Sequence, residues 1–139
     1  MKQIQPKQAK SAPIHGVGRR KTAVARVWLK KGGQGSILVN GKDHINYFDT
    51  DITRSIVEAP LKIAKLEKSF DIQVNVNGGG LVGQANAICL GISRALVIID
   101  ETLRPTLKKY SFLTVDSRIK ERKKYGQKAA RRKFQFVKR

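Results

Sequence analysis

The last 22 residues, Arg118 to Arg139, hold eleven lysines and arginines against a single acid, Glu121, with Tyr125, Phe134 and Phe136 spaced among them. This run narrows the possible folds more than any other feature of the sequence. Ten uncompensated positive charges in one short stretch cannot enter a core, because a buried charge needs a partner. Like charges also repel one another and hold a chain extended. The segment therefore predicts an exposed interaction tail, and its partner must be a polyanion.

The rest of the chain sharpens that contrast. Residues 1–26 carry seven bases and no acid, whereas residues 27–117 carry eleven bases against nine acids. A nearly neutral body lies between two basic ends. Its 139 residues, 40% of them hydrophobic, suit one domain with a modest core. A solvated surface explains mixed charges but not this block, so a nucleic-acid partner is expected. A membrane surface fits less well, since the tail has no amphipathic apolar face. No apolar run reaches the ~20 residues of a membrane span. The opening "MKQIQPKQAK" has no segment of signal-peptide character. Cys89 is the only cysteine, so no internal disulfide forms. These features predict a soluble, cytoplasmic protein.

Residues 1–15 are polar, contain Pro6 and Pro13, and read as a flexible arm. In "GRRKTAVARVWLKKG", Ala23, Ala25, Val27 and Leu29 share one strand face, and Thr22, Val24, Arg26 and Trp28 the other. Gly32, Gly33 and Gly35 make a turn into "SILVNG", which suggests a hairpin of these two segments. Asn40-Gly41 signals a further tight turn. Asp49 to Asp51 are helix-cap candidates before Ile52, Ile56, Leu61, Ala64 and Leu66, with two helical pieces or a kink expected at Pro60. "FDIQVNVN" reads as a strand with Ile72, Val74 and Val76 inward. The strongest helix carries Leu81, Ala85, Ile88, Ile92, Leu96 and Ile99 at spacings of three and four, with Arg104-Pro105 beyond it. Cys89 borders this stripe as a small buried hydrophobe. "SFLTV" offers a last strand. The expected class is α+β, a two-layer body with one small sheet and helices packed on one face, followed by the extended basic tail.

The cluster "NGGGLVGQANA" (Asn77 to Ala87) runs from strand into helix, where exposed amides and close backbone favour phosphate. It lacks both a following Gly-Lys-Ser/Thr and the dinucleotide spacing. A tight turn, with Gly83, Ala85 and Ala87 letting the helix lie close on the sheet, is the favoured reading. No catalytic or metal set emerges. His15 lies in the arm, His44 follows a turn, and Asp49 and Asp51 suit capping better than Mg²⁺. No cofactor is implied. Arg19, Arg20 and Lys21 open a strand in the acid-free segment, with Arg20 pointing opposite to the other two by strand alternation. In the tail, Arg118, Lys120, Arg122, Lys123, Lys124, Lys128, Arg131, Arg132 and Lys133 offer phosphate contacts, and Tyr125 and the two phenylalanines offer stacking faces. Basic residues interleaved with aromatics suit folded RNA better than duplex DNA.

The run "GGGLVGQANAICLGISRAL" (Gly78 to Leu96) resembles the signature of the universal small-subunit ribosomal protein nine family. "GRRKTAVARV" resembles that family's first strand, and "LRPTLKKYSFLTVDSRIKERKKYGQKAARR" its bacterial-type C-terminal region. The resemblance extends from about Gly16 to Arg139. It implies the fold of the second domain of ribosomal protein S-five, with a left-handed crossover that the general right-handed rule does not predict. It implies a body at residues 16–117 bound to rRNA in the small-subunit head. It implies a tail at 118–139 whose Lys138 and Arg139 reach the anticodon stem-loop of P-site tRNA. The partners implied are small-subunit rRNA, that tRNA and neighbouring head proteins, with no membrane, for a monomer within the ribosome. In this tail Lys133-Phe134 stands where the family has Ala-Pro and Val137 where it has Ser, which removes one fixed φ.

The function expected is thus that of a structural constituent of the small ribosomal subunit, without enzymatic activity. A small-molecule kinase of the galactokinase–homoserine kinase type would need a longer chain, an acidic metal ligand by the loop and a substrate pocket. A protein cofactor of an RNA-processing ribozyme shares the basic character.

Overall fold

The computed structural model describes residues 12–136. In chain order these form β1 (Ile14–Arg20), β2 (Ala23–Lys31), β3 (Ile37–Val39), β4 (Lys42–Asp43), α1 (His44–Tyr47), α2 (Asp51–Ala64), β5 (Phe70–Asn77), α3 (Leu81–Ile99) and α4 (Arg104–Lys109). The sheet runs β1-β2-β5-β3-β4, all antiparallel except for the parallel β3–β5 pair. This is the α+β architecture expected.

Strand periodicity sets which face is buried. Ala23, Ala25, Val27 and Leu29 of β2 and Ile72, Val74 and Val76 of β5 are all buried on the helix side. The opposite residues of each strand stay at least partly open. Asn40 and Gly41, both at positive φ, close the β3–β4 hairpin as their sequence signals.

The expected hairpin between β2 and the "SILVNG" segment does not form. β5 inserts between β2 and β3 and pairs with both. Residues 32–36 pass over its start, where Asp71 accepts from the amides of Gln34 (2.9 Å) and Ser36 (3.2 Å) and from the Ser36 hydroxyl (2.9 Å). Strand β2 pairs instead with β1, which begins at Ile14, so His15 belongs to the sheet rather than to the arm. Residues 1–11 of that arm lie outside the described residues.

The reason β1 lacks apolar alternation is its packing. Its inward positions are Gly16 and Gly18, and α3 lies directly on them. A Cβ on Gly18 would overlap the Ala87 carbonyl, and one on Gly16 would overlap that of Gly91. Gly91 in turn faces the Val27 side chain. The close approach therefore rests on Gly16, Gly18 and Gly91. Gly83, expected to supply it, leaves ordinary van der Waals space, although Ala85 and Ala87 are fully buried as anticipated.

Helix α3 buries Ala85, Ile88, Ile92 and Leu96, while Leu81 at its start is 40% exposed. By length and composition α3 could cross a membrane, contrary to the sequence expectation; here most of it is packed inside the fold. Helix α2 is one helix through Pro60, so of the two pieces or a kink expected there the two pieces do not occur. Proline in a helix interior costs about 3 kcal/mol, and burial of Val57, Pro60 and Leu61 in the same turn offsets it. Ile52, assigned to the inner face, is 70% exposed because Thr53 and Val57 take that side. The cap of α2 is Thr50, between the aspartates proposed, and it makes no side-chain cap bond; Asp43 caps α1 instead. Residues 111–113 form turns and residues 114–115 have no regular structure, so no strand forms there, and Phe112 and Leu113 pack on the core.

His44 of α1 ties that turn to α2, its Nε2 lying 2.9 Å from Glu58, which also receives the Lys62 ammonium at 2.7 Å. The Lys62 ammonium, and after it the His44 ring, hold the Glu58 carboxyl below the ordinary carboxylate range against the opposing effect of burial. A depressed folded-state pKa adds stability above the unfolded value of about 4.3, and that stability is lost as pH falls through the folded value. Wild type is therefore expected to exceed Glu58→Gln in urea midpoint at about pH 6, with the gap closing toward about pH 3. A gap that does not change with pH would refute the charge linkage.

Candidate nucleic-acid interface

The end of β1 and the start of the tail come together. Arg19 and Arg20 close β1, and Lys21 occupies the turn to β2 at φ 53°. Strand alternation therefore applies to Arg19 and Arg20 but not to Lys21, which has left the strand. Arg19 and Lys21 are exposed and have no carboxylate partner among the described residues. Arg20 points to the helix side, where its guanidinium meets the Asp116 carboxylate at 2.9 Å and donates to the Asp116 carbonyl at 3.2 Å.

Asp116 is the hinge pin of this site, and sequence reading counted it only among the acids of the neutral body. It also accepts a two-pronged contact from Arg118, at 3.0 Å from Nε and 2.8 Å from Nη2, and the Arg118 amide at 3.0 Å. These bonds, led by the Arg118 side chain, hold the Asp116 carboxyl far below the usual carboxylate range. One carboxylate thus joins the β1 end to the tail root. The available signal was positional: Asp116 is the last acid before the basic run. Arg19, Arg20, Asn86, Cys89, Phe112, Asp116 and Arg118 line an open cleft of about 640 Å³ between β1, α3 and the tail root.

Beyond Asp116 the described chain has neither helix nor strand. Its single acid, Glu121, receives the Arg131 fork at 3.0 and 2.6 Å and Lys124 at 3.8 Å, so residues 121–131 form a closed loop. Lys120, Arg122, Lys123, Lys128, Arg132 and Lys133 are exposed, with no carboxylate partner among the described residues. Tyr125 and Phe136 are each 96% exposed and Phe134 63%. Rings so open have both faces available for stacking. Lys138 and Arg139 lie outside the described residues.

Other groups weighed for chemistry are occupied structurally. The glycine turn is filled from within: the Gln84 amide donates to the Gly78 carbonyl at 3.1 Å and accepts from the Tyr47 hydroxyl at 2.8 Å. Gly78 and Gly79 both adopt positive φ against Thr22 and Ala23. Asp51 pairs with Arg54. Burial pushes the Cys89 thiol up to about 12, which removes it as a nucleophile. Among the described residues no group of His, Cys, Asp and Glu is arranged to hold a metal.

A nearly neutral folded body bearing a polycationic, aromatic-studded appendage defines a structural protein of the nucleic-acid-associated class. Known proteins identify which one. The family described as ribosomal protein S9/S16 matches residues 18–139. The small ribosomal subunit protein uS9 of Desulfovibrio desulfuricans is 53% identical over 125 residues, covering 90% of this chain and 95% of that protein. Its counterparts in Cytophaga hutchinsonii and Chlorobaculum parvum are 51% and 53% identical over 126 residues, covering 91% of this chain and 98% and 97% of theirs. The chain belongs to the ribosomal protein S9/S16 family, whose members are structural, non-enzymatic constituents of the cytoplasmic ribosome.

Proposed function

We propose that this small-subunit protein binds rRNA in the subunit head through two joined surfaces and supports P-site tRNA with its last residues. The first surface is the β1 terminus and its turn, with Arg19 and Lys21 on phosphate and Arg20 seating the tail root. The second is the tail from Arg118, where Lys120, Arg122, Lys123, Lys128, Arg132 and Lys133 neutralise phosphates, Lys124 and Arg131 join them once released from Glu121, and Tyr125 stacks on a base. With Ile14 and His15 in β1, the body spans residues 14–117, the tail 118–139 and the arm 1–13. The protein acts as a monomer, beside neighbouring head proteins.

The observation that carries this reading is the Arg20–Asp116–Arg118 bridge. It starts the tail beside the two unpaired cations of the β1 end, so that one continuous positive surface leads from body to tail. Fully extended, 22 residues would span roughly 70 Å; the Glu121–Arg131 pair folds residues 121–131 back on themselves, so that reach requires the loop to open.

Lys138 and Arg139 offer charge to the sugar-phosphate backbone of the anticodon stem-loop, which every tRNA shares. Their contact is therefore sequence-independent. Each contact contributes about 1 kcal/mol, so deleting both should speed tRNA dissociation from the P site by about 30-fold. Assembly should persist, because the bases from Arg118 to Lys133 remain. Unchanged dissociation from subunits that have fully incorporated the truncated protein would place the terminus on rRNA instead.

A further inference from the structure

The outer face of the sheet, turned away from α2 and α3, plays no part in the surfaces described so far except at Arg19, at the end of β1. His15 and Trp28 oppose each other across the β1–β2 ladder, with ring centroids 5.2 Å apart and planes tilted by 41°. On the β5 side Trp28 lies opposite Gln73, Arg26 opposite Asn75 and Val24 opposite Asn77. Trp28, Gln73, Asn75 and Asn77 line a shallow groove of about 430 Å³, with Asn40 and Gly41 at its rim. The ring and a neighbouring arginine on β2 and three amides on β5 are held on two directly paired strands, which makes their spacing rigid.

Charge decides what fits. Arg19, Arg26 and Lys30 alternate along this face, and among the described residues none has a carboxylate within ion-pair distance. Against these three bases the face carries two acids, Asp71 at its far end, hydrogen-bonded by the neutral donors of Gln34 and Ser36, and Asp43 on the β4 edge opposite Leu38. The face is therefore net positive. An aromatic ring stacks on the face of any base, an arginine fork takes the flanking phosphate, and amide side chains present both donors and acceptors to base edges. Its apolar groups are Trp28, the half-buried Val17 and Val24, and Leu38, which Gln73 separates from the ring; a protein neighbour would call for a wider continuous apolar centre.

We infer that this face takes an unpaired rRNA nucleotide, its base on Trp28 and its phosphate on Arg26. The inference rests on the rRNA-binding reading above and adds a contact surface on the body, away from the tail.

Trp28 is the only tryptophan, so its fluorescence reports on this face alone. The test titrates the full-length protein with an unpaired RNA of about 12 nucleotides, a length within the usual span of single-strand sites. A paired RNA hairpin of equal phosphate count is the control. Anisotropy of the end-labelled RNA reports binding anywhere on the protein. The unpaired RNA is expected to quench Trp28 strongly and the hairpin weakly. Trp28→Leu should weaken binding of the unpaired RNA by about 5- to 100-fold, the range for loss of one stacked base. Trp28→Phe should restore most of it, and Arg26→Ala should lower the salt slope by about 0.7. Binding seen by anisotropy with no quenching, and with Trp28→Leu and Trp28→Phe both at wild-type affinity, would overturn the inference and leave the tail reading intact. Absence of any anisotropy change would overturn both. Quenching by RNA-free small-subunit proteins but not by RNA would assign the face to a protein neighbour and overturn the inference.

Discussion

Gly18→Ala is expected to lower the unfolding free energy by about 3 kcal/mol and the melting temperature by roughly 15 °C. The added Cβ would fall on the Ala87 carbonyl and within 2.6 Å of the Gly91 amide, both backbone atoms of α3. No rotamer change can make room, so α3 must lift from β1, loosening the contact that Gly16 and Gly91 share. Gly83→Ala supplies the contrast. Its Cβ would sit 3.7 Å from the nearest atom, an ordinary contact, within a helix that favours alanine over glycine by about 1 kcal/mol. That substitution should leave stability unchanged or raise it. Thermal melts of the two variants should therefore move in different directions. A Gly18→Ala protein melting within a few degrees of wild type would mean that α3 does not lie so deep.

Reversing Arg19 and Lys21 together to glutamate is expected to weaken rRNA binding by about 100-fold at moderate salt, from loss of two charge-assisted contacts. The log–log salt slope should fall by about 1.5, two phosphates' worth. Arg20 is excluded from the pair on purpose, because its guanidinium is engaged by Asp116 and its loss would disturb the tail root as well. Arg20→Ala should weaken binding with a smaller change in slope, since it removes an anchor more than a phosphate contact. Filter binding over a range of salt separates the two effects. An unchanged slope in the double variant would show that Arg19 and Lys21 face solvent in the complex.

Both predictions depend on β1, and β1 is where sequence periodicity failed. Its inward positions are glycines, so the pattern that reveals β2 and β5 is silent, although the absence of side chains is what admits α3. The identity of the strand partners was hidden for a different reason. Backbone pairing energy is nearly the same for any two strands, so local signals cannot say that β5 inserts between β2 and β3. Shared burial against α3 makes that choice. The path of α2 through Pro60 is likewise a tertiary outcome, because the missing hydrogen bond is a local penalty and the offsetting burial is not. Phe112 and Leu113 reach the core from turns, whereas their sequence resembles a strand.

The sequence alone determined whatever depends on neighbours along the chain. That includes the inward alternation of Ala23 to Leu29 and of Ile72 to Val76, and the Asn40-Gly41 turn. It also includes the apolar stripe of α3 and the separation of a neutral body from a +10 tail. Periodicity, turn chemistry and charge density are all readable within a few residues. Tertiary structure decided what depends on distant residues meeting. It set the strand order, seated α3 on Gly16 and Gly18, and joined Arg20 to Asp116 across 96 positions. It also brought Trp28, Arg26, Gln73 and Asn75 onto one open face. Burial and ion pairing act through space, and no stretch of sequence records which distant residue will be at hand.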